Sequence, residues 1–201
     1  MSLNFSYLAL GDSYTIGEGV PLYQSYPYQA VQLLRSWGQT FHAPEIIARS
    51  GWTTSELNFH IEHTILNTVY DFVSLLIGVN NQYRGTSSNL YAIEFEELLR
   101  KSISLAGEKP SSVFVLSIPD WGLTPFANGR DRDSISAGIG IFNEINRSLS
   151  EKHQANYIDI TTGSPETSDD LSFITEDGLH PSGKAYKRWA ELLAHAVKKA
   201  L

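Results

Sequence analysis

Four short stretches carry residue types that could act together on an acyl group: Gly11-Asp12-Ser13, Ser50-Gly51, Gly78-Val79-Asn80 and Asp177-Gly178-Leu179-His180. A serine becomes a nucleophile when a base takes its proton, a third group orients the base, and donors meet the charge developing on the attacked carbonyl oxygen. Ser13, His180, Asp177, Gly51 and Asn80 match those needs by type. A plainer reading stands beside this one. Gly-Asp-Ser is an ordinary turn composition, an Asp three residues before a His suits a loop leading into a helix, and Asn commonly bonds its own backbone at a strand end. The choice depends on whether the fold brings the four stretches together.

The elements that would do so are readable from periodicity. Phe5 to Leu10 is short and apolar and ends at Gly11, as a buried strand would. Tyr26 to Trp37 repeats apolar residues at helical spacing, and Glu45 to Ala48 reads as a second strand. A Thr or Ser cap precedes a helical pattern through Leu57, Ile61 and Ile65. Phe72 to Ile77 is nearly continuous apolar, Leu90 to Leu105 is helical, and Ser112 to Leu116 is a fourth strand. A loop from Ser117 to about Asp133, a helix from Ile135 to Leu149, a short strand from Tyr157 to Ile160 and a helix from Gly183 to Leu201 complete the chain. Near-continuous apolar strands alternating with helices predict a parallel α/β sheet covered on both faces. Ser13, Gly51 and Asn80 then fall where three successive strands end, the edge at which open α/β sheets bind ligands.

Composition narrows the function classes. The 201 residues suit one domain spanning the whole chain, with 42% hydrophobic and 18% charged residues. A net charge of -7 and the lack of a long basic run argue against nucleic acid or an anionic membrane surface as partner. No apolar run approaches the roughly 20 residues of a membrane span. Zero cysteines exclude disulfides, thiol nucleophiles and thiolate metal sites. The chain enters its first strand without a secretory leader, which leads to an expectation of a cytoplasmic protein.

Taken in order, the four stretches resemble the blocks of the GDSL or SGNH hydrolases. Gly11-Asp12-Ser13 matches the first block, with Tyr14 where leucine is usual, and Gly51 matches the glycine of the second. Gly78-x-Asn80 matches the third, with Asn81 where aspartate is common, and Asp177-x-x-His180-Pro181 matches the last. The resemblance implies a three-layer α/β/α sandwich, flavodoxin-like, with about five parallel strands. It further implies a Ser13 nucleophile, a His180 base oriented by Asp177, and an oxyanion hole built from the Ser13 and Gly51 N–H groups and the Asn80 amide. The implied activity is hydrolysis of a small-molecule ester, with a short acyl chain and an acetylated sugar among the options, and with no metal or other cofactor. A lysophospholipase, a thioesterase or a non-catalytic binding module are the alternatives on the same fold.

Trp52, Tyr83, Trp121 and Phe126 fall in or beside loops at the same edge, where aromatics line a substrate pocket or else cap the ends of the core. Glu56, His60 and His63 share a helical face at metal-ligand spacing, but three such residues without further ligands read as a solvated face.

Overall fold

The computed structural model describes residues 4–162 and 170–201; residues 1–3, on which the expectation about a leader partly rests, lie outside them. Strands β1 (Tyr7–Gly11), β2 (Glu45–Ala48), β3 (Phe72–Leu76), β4 (Val113–Leu116) and β5 (Asn156–Ile158) form one sheet in the order β2-β1-β3-β4-β5. Every pairing is parallel, and β1, β3 and β4 are buried along their whole length. Helices α1 (Ser13–Ile16) and α2 (Tyr26–Ser36) follow β1, and α3 (Thr54–Glu62) follows β2. Helices α4 (Val79–Tyr83) and α5 (Ser88–Leu105) follow β3, α6 (Arg132–Lys152) follows β4, and α7 (Gly183–Ala200) closes the chain. Helix α2 packs on α7, whereas α5 packs on α3 and α6, so the sheet is the middle of three layers. The expected α/β sandwich is the observed one.

Several boundaries differ from the sequence reading, each for a local reason. Phe5 lies outside β1 and makes a single parallel bridge to Phe41. β5 stops at Ile158 because the Asp159 carboxylate turns the chain by accepting from Thr161 N and Thr162 N, both at 2.9 Å. α6 begins three residues early because Asp131 caps it, accepting from Ser134 N at 3.0 Å. The one-turn helices α1 and α4 had no counterpart in the expectations.

Register does most to position the candidate residues. Gly11 at the end of β1 is level with Ala48 of β2 and with Leu76 of β3. The chain passes from β1 to β2 on one side and continues from β3 to β4 on the other. The connections therefore diverge between β1 and β3, opening a crevice above the carboxyl ends of the strands. Ser13 rises on one side of that crevice and Asn80 on the other.

The close approach that allows this lies at Gly11. A Cβ there would run into the Leu76 carbonyl oxygen and the Thr15 side chain. A carbonyl within a sheet ladder cannot swing aside as a flexible side chain can. Gly11→Ala is expected to cost at least about 2 kcal/mol, as overpacking of a rigid core does. That corresponds to a thermal midpoint lowered by about 4–8 °C for a chain of this size, read by calorimetry or circular dichroism.

Candidate active site

Asp12 is fully buried and caps α1, its Oδ1 accepting from Tyr14 N at 3.0 Å. Ser13 is the first residue of that helix, so its own N–H is one of those that a helix start leaves without an intrahelical acceptor. Gly51, in the turn after β2, has φ +84°, a conformation that favours glycine, and it lines a neighbouring depression rather than the cavity of Ser13 and His180. Its carbonyl accepts from Arg84 Nη2 at 2.6 Å, and Arg84 also meets Glu56 Oε2 at 3.2 Å. This clamp fixes the Gly51 peptide plane. Thr53 and Glu56 form a capping box that starts α3 just beyond it.

Asn80 sits in the first turn of α4 and donates from Nδ2 to the Trp52 carbonyl at 3.0 Å. One N–H of its amide is thereby used, and the other remains for the cavity. The neighbouring Asn81 is buried; its Oδ1 accepts from Thr54 N at 3.0 Å and its Nδ2 donates to Thr54 Oγ1 at 2.7 Å. Asn81 thus ties the start of α3 to α4, which holds the Gly51 and Asn80 stretches against each other.

His180 is buried, with its ring 5.5 Å from that of Tyr14. Its Nδ1 donates to Asp177 Oδ2 at 2.6 Å. The other oxygen, Oδ1, accepts from Thr175 Oγ1 (2.8 Å), Leu179 N (2.8 Å) and His180 N (3.0 Å). Partial burial alone would raise the Asp177 pKa, but these hydrogen bonds outweigh it and hold the carboxyl well below the usual carboxylate range. A carboxylate that stays ionised keeps the proton of a neutral imidazole on Nδ1, leaving the Nε2 lone pair free. Glu18, which the sequence reading did not single out, brings Oε2 to 3.9 Å from His180 Nε2 and accepts a hydrogen bond from Ser50 Oγ.

Ser13, Asn80 and His180 line one cavity of about 200 Å³ together with Tyr14, Val79 and Leu179. No hydrogen bond joins Ser13 Oγ to His180 Nε2, a spacing that is common before substrate binds. Tyr83, Trp121 and Phe126 complete the wall. Trp121 meets Tyr83 at a ring distance of 5.5 Å and Phe126 at 6.0 Å, both edge-on. Phe126 N donates to Gly178 O at 2.9 Å, joining this wall to the histidine loop.

Gly51 and Trp52 line a separate depression with Arg49, Glu56, His60 and Arg84. The Trp52 ring stacks on His60 at 4.2 Å, so among the four aromatics it is the one set apart from the Ser13 cavity. His63 meanwhile lies 2.7 Å through Nδ1 from Phe59 O, and Glu56 is held by Thr53 and Arg84. Among the described residues no three His, Cys, Asp or Glu side chains gather as a metal site would require. Likewise no helix among them is long and apolar enough to cross a membrane.

Residues 9–188 match the GDSL-like Lipase/Acylhydrolase family model, and the chain belongs to that family, which implies carboxylic ester hydrolysis. No curated protein matches it by sequence. Solved structures of the same fold include the lipase/acylhydrolase from Enterococcus faecalis, at 18% identity and TM-score 0.77 over 97% of this chain and 96% of that one. The psychrotrophic esterase EstA from Pseudoalteromonas sp. aligns at 16% identity and TM-score 0.73 over 98% of each chain. The acetyl xylan esterase AlAXEase aligns at 19% identity and TM-score 0.74, covering 96% of this chain and 99% of that one.

Asp12 makes a separate prediction. Burial raises its pKa from 3.8 to about 7, against the opposing pull of the Tyr14 and Asp12 backbone N–H groups. Its Oδ2 meets no hydrogen-bond partner among the described residues. The folded chain therefore holds a proton there that the unfolded chain releases near pH 4, and the folded state loses stability as pH rises from about 4 to about 7. Asparagine caps a helix equally well and does not titrate. The thermal midpoint of Asp12→Asn, measured relative to the parent, is expected to climb across that window and level off above it. A difference that is constant with pH would mean that Asp12 is ionised throughout.

Proposed function

We propose that the chain is a serine esterase working through an acyl-serine intermediate on Ser13. The observation that carries this reading is the Asp177–His180 pair opening onto the same cavity as Ser13 and Asn80. Ser13 Oγ attacks the ester carbonyl carbon while His180 Nε2 takes its proton. The imidazolium so formed lies beside the ionised Asp177. The oxyanion is met by the Ser13 and Gly51 N–H groups and by the second N–H of Asn80. As the tetrahedral intermediate collapses, the C–O bond to the alcohol breaks and His180 returns the proton to the departing oxygen. Water then attacks the acyl-serine carbonyl as His180 Nε2 takes its proton; the second tetrahedral intermediate collapses, the bond to Ser13 Oγ breaks, His180 returns the proton to Oγ, and the carboxylic acid leaves. Each step moves one proton and uses no metal or other cofactor.

A cavity of about 200 Å³ is small beside the ~300–1,000 Å³ of typical ligand pockets, and its three aromatic walls suit a short acyl chain. The structural likeness to an acetyl xylan esterase keeps acetylated sugars within the substrate class we infer.

Ser13→Ala is expected to leave the thermal midpoint near that of the parent and to lower ester hydrolysis by at least about a thousandfold. A fluorophosphonate should label the parent at Ser13 and fail on the variant. Residual hydrolysis above a thousandth of the parent rate would remove Ser13 from the role.

Asn80→Ala is expected to lower kcat by about 10²–10³-fold with KM little changed, since the donor acts on charge that forms in the transition state. Asn80→Asp should be slower still, because a carboxylate faces both the oxyanion and the Trp52 carbonyl that Asn80 now holds. The alanine variant is therefore the cleaner test. A loss confined to KM, or a loss matched by a large fall in thermal midpoint, would make Asn80 a clamp on Trp52 alone.

A further inference from the structure

Two arginines at the start of α6, Arg130 in the loop before it and Arg132 in its first turn, have different fates. Arg132 Nη2 is spent on the loop itself, donating to Thr124 O at 2.8 Å and Asn128 Oδ1 at 3.1 Å. Arg130 is exposed and lays its guanidinium against the aromatic wall of the Ser13 cavity. Its Cζ lies 5.4 Å from the Tyr83 ring centre, 5.5 Å from that of Trp121 and 5.1 Å from that of Phe126. Its backbone N–H donates to Ala127 O at 3.0 Å, which fixes where the side chain starts.

Three rings within about 5.5 Å of one guanidinium favour the cation there. A guanidinium has five N–H donors. One reaches Tyr83 Oη, at 3.4 Å, and among the described residues no carboxylate lies within ion-pair distance. Asp131, the adjacent acid, has its Oδ1 committed to capping α6. In a chain of net charge -7, an arginine without a carboxylate partner, packed on three rings that line the cavity, is unusual placement for a surface charge. Its planar fork suits a bidentate anion.

We infer that Arg130 is a specificity-determining residue that selects esters bearing an anionic group, carboxylate or phosphate, at a distance from the scissile bond. The inference rests on the esterase reading of the cavity. Arg130 does not itself line the cavity but packs, exposed, on three rings that do, so the charged end of a substrate whose ester end lies inward at Ser13 would meet it outside. The anion comes either from the acyl part, as in a half-ester of a dicarboxylic acid, or from the alcohol part, as in a phosphorylated polyol.

The test compares matched pairs of substrates. Hydrolysis of mono-4-nitrophenyl succinate against 4-nitrophenyl pentanoate varies charge on the acyl side. Acetate release from acetylglycerol phosphate against acetylglycerol varies it on the alcohol side. For Arg130→Met the anionic-to-neutral ratio of kcat/KM is expected to fall roughly five- to tenfold in one pair, allowing for solvent screening of an exposed charge. Which pair responds identifies the side that carries the anion. Arg130→Lys, which keeps the charge but not the fork, should retain part of the ratio, and salt should erode it in the parent. A ratio unchanged in both pairs, with both substrates falling together, would reduce Arg130 to a strut for the rings. Binding of monomethyl succinate against methyl pentanoate to Ser13→Ala, by calorimetry with and without Arg130→Met, reads the same preference without turnover. A preference in binding with no hydrolysis by the parent would overturn the esterase reading and leave this inference standing. No preference in this pair, nor in binding of acetylglycerol phosphate over acetylglycerol to the same variants, would overturn the inference whatever the parent hydrolyses.

Discussion

The site depends on how closely β1 and β3 approach each other at their carboxyl ends. The pairing of Gly11 with Leu76 leaves no room for a side chain on Gly11, and it brings the starts of α1 and α4 to one level across the crevice. A wider strand ending would separate Ser13 from Asn80 without altering either residue. The remaining contacts serve to keep the flanking loops in that geometry. Asn81 fastens α4 to α3, Arg84 fixes the Gly51 peptide, and the Asp177 carboxylate gathers its own loop around His180.

Much of this was legible in the sequence, because the signals were of the kind that periodicity carries. Buried parallel strands are apolar at nearly every position, and helices α2, α5, α6 and α7 are long enough to show their repeat. Helices α1 and α4 went unread because a single turn has no room for a period of 3.6. The stretches later gathered at the crevice were identifiable by residue type. Their partners Asn81, Arg84, Glu18 and Arg130 were not, since each acts through a side chain reaching residues far away in the chain. Trp52 shows the limit well. Its position beside Gly51 correctly placed its backbone, whose carbonyl meets Asn80, but the ring turns away to stack on His60.

Charge is distributed unevenly around the cavity. Asp177 and Glu18 approach His180 from two sides, Nδ1 and Nε2 respectively, while Arg130 stands over the opposite aromatic wall. Even screened by solvent, such an arrangement gives direction as well as charge. A dipolar or singly charged ester would enter in one orientation rather than two. Beneath the floor, the buried Asp12 carboxyl, with its pKa raised to about 7, adds no full negative charge below neutrality.

The hydrogen bond from Phe126 N to Gly178 O has an evolutionary consequence. It makes the wall that would sort substrates and the loop that carries the imidazole a single mechanical unit. On the esterase reading proposed above, a substitution that moves the Phe126 backbone would pull on Gly178 and, through it, on the loop that holds His180. A broadened substrate range therefore comes with a changed rate on every substrate, the old ones included. New specificities are reached more readily from the Tyr83 side, which rides on α4 and leaves the histidine loop where it is.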